Sequence, residues 1–71
     1  MSEIIARDYS EGCSEGRNTA AVIIEEVRTD RDNLPRLVRA LREAAANANS
    51  DDAGISGHGI GFLSAVAEAA L

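Results

Sequence analysis

Seventy-one residues limit the chain to one domain, and a domain this small buries only about 60% of the surface that its unfolded chain exposes. Two aromatic residues, Tyr9 and Phe62, and no Trp leave Ile, Leu, Val and many Ala to build the core, which suits close helix packing better than stacked sheets. Twelve acidic residues against seven basic ones give a net charge of −5 and a pI of about 4.6, which argues against direct nucleic-acid binding, because that needs a basic footprint.

An acidic surface can still occupy a basic groove on another protein, including one that normally holds nucleic acid. Cys13 is the only cysteine and has no internal disulfide partner. The N-terminus lacks the basic start and apolar run of a secretory signal, and no stretch approaches the ~18 apolar residues of a membrane span. The expectation is a cytoplasmic protein without a membrane segment.

Residues 1–71 read as a single all-α domain, a small three-helix bundle with a long N-terminal helix. Small and apolar residues recur at Ile5, Tyr9, Gly12, Gly16, Ala20, Ile23 and Val27, in the steps of three and four that mark one helix face. Ser2 is the expected cap and Glu3 complements the dipole, so the first helix is expected over about 2–29. Gly12 and Gly16 each cost about 1 kcal/mol relative to Ala in a helix. Their place on the seam points to a second backbone passing closely there, with a flexible break as the alternative. The β-branched residues of 20–27 also leave a strand open.

Successive residues lie 100° apart around a helix, which puts Asp8, Glu11, Glu15 and Glu26 along one flank of this seam and Arg17 and Arg28 on the other. This acidic flank is the candidate partner-binding surface. The structural alternative is an ordinary solvated face.

The polar run 29–33 ends in Asn33-Leu34-Pro35, a stop followed by a new start, with Asn33 as cap and Pro35 in the first turn. A second helix is expected over about 35–47, burying Leu37, Val38, Leu41, Ala44, Ala45 and Ala48, with Arg36, Arg39 and Arg42 projecting outward. Residues 47–54 read as a loop, whose Asp51 and Asp52 lack the ligand pattern of a calcium site. Gly54, Gly57, Gly59 and Gly61 follow no strand and precede no Lys, so neither phosphate-loop pattern is present. Ser56 is expected to cap a last helix over 60–71, whose Phe62, Val66 and Ala70 share a face beside Leu63 and Ala67. A helix so apolar is either buried on two sides or presented to a partner. Phe62, Leu63 and Val66 therefore form the alternative interface, for a docking partner or a homodimer.

His58 is the only histidine, and nothing connects it to Cys13, Ser14 or Asp52 as a catalytic set. It is expected to be an exposed residue at a helix start. One His and one Cys are too few for a structural zinc site. The expectation is a non-enzymatic chain with no cofactor and no metal.

Tyr9-Ser10-Glu11-Gly12-Cys13-Ser14-Glu15-Gly16, followed by Ala20, resembles the aromatic-x-x-Gly helix start of many short phage and mobile-element proteins. Ile60-Gly61-Phe62-Leu63, with Val66-Ala67-Glu68 behind it, is similar to their C-terminal helix. The resemblance covers about a third of the chain and implies a phage-type accessory protein. Within that group, its size and acidity resemble anti-CRISPR proteins. This implies an inhibitor in the host cytoplasm that meets a CRISPR effector complex through a DNA-mimicking acidic surface. The group shares no motif that would transfer a functional residue by position.

Overall fold

The computed structural model describes residues 8–69. Three helices follow one another: α1 (Tyr9–Thr29), α2 (Leu34–Ala48) and α3 (Ala53–Ala69), with a single 3-10 turn (Arg31–Asn33) leading into α2. There is no strand among the described residues, and 20–27 is helical. The expected all-α bundle with a long first helix is the architecture found.

The expected cap at Ser2 lies outside the described residues. Asp8, which was expected within the helix, is extended and caps it: its carboxylate accepts the Glu11 N–H at 2.6 Å. At the other end Thr29 Oγ1 donates to the Glu25 carbonyl, and the Asn33 amide donates to that of Glu26, which also accepts the Asp30 N–H. Asn33 therefore ties α1 to the turn and makes no side-chain cap on α2, contrary to expectation.

α3 begins at Ala53, earlier than expected. Asp52 is its cap, accepting from the Gly54 and Ile55 N–H groups at 2.9 and 3.2 Å. Ser56, expected in that role, instead donates its hydroxyl to the Ala48 carbonyl of α2. The glycines expected to precede the helix lie inside it.

Those glycines set how the helices pack. A Cβ on Gly12 would fall within 3.0 Å of Gly54 and His58 backbone atoms, and one on Gly16 would strike the backbone of His58 and Phe62. From the other side, Gly57 faces the backbone of Tyr9, and Gly61 that of Cys13. The pairing rises together along both chains, so α1 and α3 are parallel and touch main chain to main chain. α1 runs unbroken through both of its glycines, and the flexible-break alternative is not realised.

This interface is the largest of the three, while α2 packs mainly on α3 and barely touches α1. Gly59 admits α2, because a Cβ there would meet the backbone of Ala44, Asn47 and Ala48. α3 is thus buried on two sides. Beyond Gly16 the seam residues grow larger, and Ala20, Ile23, Ile24 and Val27 join Leu37, Ala44 and Phe62 in the apolar core. Val38 and Ala45, expected in that core, are exposed. The apolar stripe of α2 is wider than the surface its neighbours cover.

Candidate functional site

The acidic flank lies on the side of α1 nearest α2. Because these two helices barely meet, a groove opens between them. At its upper end a depression of about 250 Å³ is lined by Glu11 and Glu15 from α1, Asn47 from α2, and Ile55 and His58 from α3. A smaller one of about 120 Å³ continues between Thr19, Ile23 and Glu43, with His58 and Phe62 at its floor. Glu11 and Glu15 are one turn apart, about 6 Å along the axis, and both are exposed.

The other two members of the expected flank are placed differently. Asp8 is exposed, but its carboxylate is engaged at the α1 N-terminus, where it complements the helix dipole. Glu26 is half-buried, and Arg36 NH1 of α2 approaches its Oε1 at 2.7 Å. That contact is ionic and lacks hydrogen-bond alignment. Between Glu15 and Glu26 the flank also carries Val22, 58% exposed, so the charge stripe is interrupted. The carboxylates that share one depression of the groove are Glu11 and Glu15, while Glu43 of α2 stands further along it, across from Thr19 and Ile23.

His58 is neither exposed nor at a helix start. It sits half-buried in the second turn of α3, and its Nδ1 is shielded with no hydrogen-bond partner. No spacing in the sequence connects it with Glu11 and Glu15. The register does, since Gly12 and Gly16 bracket the His58 backbone on the neighbouring helix.

The alternative interface is corrected at its centre. Phe62 is 1% exposed and fills the space between the three helices, because the glycines before it bring α3 against both neighbours. It cannot meet a partner without unfolding the core. Leu63 and Val66 are half-buried against the same cluster.

On the far edge of α1, Arg17 reaches Glu68 of α3, and this exposed ion pair spans the parallel helices. Tyr9 and Cys13 are one turn apart, and the thiol holds the Tyr9 phenol above its usual pKa, chiefly through a hydrogen bond. Among the described residues no group of three or more His, Cys, Asp or Glu is placed to hold a metal ion. No described helix is long and apolar enough to cross a membrane. No family model, no curated protein and no solved structure matches the chain.

Proposed function

We propose that this chain is a non-enzymatic inhibitory binding protein that sets its acidic α1 flank into the basic groove of a nucleic-acid-handling protein, with a CRISPR effector complex as the specific target class. The observation that carries this reading is the pairing of Glu11 and Glu15, exposed on a helix whose adjoining Gly12–Gly16 face is locked to α3 by backbone contact. A rigid helix holds its carboxylates in place before binding, so little ordering cost falls on association. Their axial spacing of about 6 Å is of the same order as the ~3.4 Å charge spacing along one DNA strand. Glu43 continues the negative surface further along the groove. Asp8 extends it at the helix start, while Glu26 contributes less because Arg36 offsets it.

The test is an affinity pull-down from the source cell, comparing the natural chain with Glu11→Lys/Glu15→Lys and with Glu26→Lys. All three must give the same helical circular dichroism. The expected result is retention of a nucleic-acid-handling complex by the natural chain and by Glu26→Lys, and its loss from the double variant. Equal retention by the double variant would reject the acidic flank as the contact.

A further inference from the structure

We propose that the outer face of α2 is a second docking surface, which takes an amphipathic helix with acidic flanks from another protein. This face is separate from the α1 flank and does not depend on the role proposed for it. At 100° per residue, Leu34, Val38, Leu41 and Ala45 form one line on the side of α2 turned away from Glu43 and Asn47. Leu34 and Val38 are 46% and 43% exposed and Ala45 is exposed, while Leu41 is half-buried at the edge of the core and presents only its outer side to the seam.

The spacing of four, three and four is that of alternating a and d positions, the seam into which a second helix packs knobs-into-holes. α2 has fifteen residues, so the seam offers about 22 Å, or two heptads. Two shallow depressions meet at Leu34. One, about 480 Å³, is lined by Leu34, Val38, Arg39 and Arg42, and the other, about 460 Å³, by Val27, Arg28, Arg31 and Leu34.

Charge complementarity selects the occupant. Arg28, Arg31, Arg39 and Arg42 rim these depressions, and none of them makes an ion pair among the described residues; the ion pairs there belong to Arg17 and Arg36. A second copy docking α2 on α2 would set these arginines against each other, and like charges across a helix pair oppose association. A helix with Glu or Asp beside its apolar seam would pair with them. An anionic membrane is disfavoured by the net charge of −5, which acts on an extended surface more than on a single helix lying within a screening length of the arginines.

The experiment uses the full chain and two labelled three-heptad peptides with Leu at every a and d position, one carrying Glu and the other Lys at e and g. Each is titrated by fluorescence anisotropy at low salt and at about 0.3 M salt, where exposed charges are strongly screened. The expected result is binding of the Glu peptide at least about tenfold tighter than the Lys peptide, a difference of about 1.4 kcal/mol. Added salt should weaken it, and amide shifts should follow the line 34–45. Arg39→Glu/Arg42→Glu should invert the preference, and Val38→Asp should weaken the Glu peptide while leaving the circular dichroism unchanged. Binding of neither peptide, equal binding of both, or shifts confined to the acidic side of α1 would overturn the proposal. So would a concentration-dependent dimer abolished by Val38→Asp, which would make a second copy the occupant. Sedimentation with phosphatidylserine vesicles, lost in the same variant and without peptide preference, would make it a membrane.

Discussion

Replacing Gly16 by Ala sets two effects of known sign against each other. Inside a helix the change gains about 1 kcal/mol of intrinsic propensity. Against this, the new methyl would lie 2.9 Å from both His58 C and Phe62 N and closer still to the His58 carbonyl oxygen. These are backbone atoms of a helix gripped on two sides, so no side chain can swing away. Relief requires α3 to back off by roughly an ångström, which loosens its van der Waals contacts along the α1 seam. Overpacking of this kind costs about 1–3 kcal/mol and more where backbone must move, so the net effect is a destabilisation of about 2 kcal/mol. The whole domain, at roughly 0.05–0.15 kcal/mol per residue, holds only about 4–10 kcal/mol. In urea, with a slope near 1 kcal/mol/M for a chain this small, the midpoint should fall by about 2 M. Asn18→Ala, at an exposed position of the same helix, supplies the propensity gain alone and should raise the midpoint slightly. A Gly16→Ala midpoint that rises as it does in Asn18→Ala would refute the backbone-contact reasoning.

Phe62→Ala removes the most deeply buried large side chain and should cost about 3–5 kcal/mol, lowering the urea midpoint further than Gly16→Ala does. Asp52→Ala removes the acceptor for two N–H groups at the start of α3 and should lower stability by about 1 kcal/mol in the same urea assay. Because the Cys13 thiol holds the Tyr9 phenol above its usual range, Cys13→Ala should bring the phenol's absorbance titration down to lower pH. Arg17→Ala should change stability by under about 1 kcal/mol, since its pair with Glu68 is solvent-exposed on both sides.

The long first helix was legible because its small and apolar residues keep one phase from Tyr9 to Val27, and because glycines placed on that phase signal close approach rather than a break. The start of α3 was not legible. Four glycines within eight residues carry a propensity cost that favours a loop, and only the neighbours' backbones offset it. A signal was nonetheless present, since Gly57 and Gly61 repeat the spacing of Gly12 and Gly16 and so mark a second small face. Phe62 was read as an interface because apolarity around a helix does not distinguish burial between two neighbours from exposure to a partner. For the same reason Val38 and Ala45 were assigned to the core: the stripe gives their direction but not the width its neighbours cover. Of the acidic flank, sequence spacing puts Glu11 beside Glu15, and the two line one depression. It could not reveal that Asp8 turns back as a cap or that Arg36 reaches Glu26, since both depend on how the chain enters and leaves α1.

The most direct test of the account is competition on the isolated partner complex, with labelled nucleic acid displaced by increasing amounts of the chain. The expected result is mutually exclusive binding that weakens with salt and is lost in Glu11→Lys/Glu15→Lys. A ternary complex, in which chain and nucleic acid are held together on the partner, would contradict it.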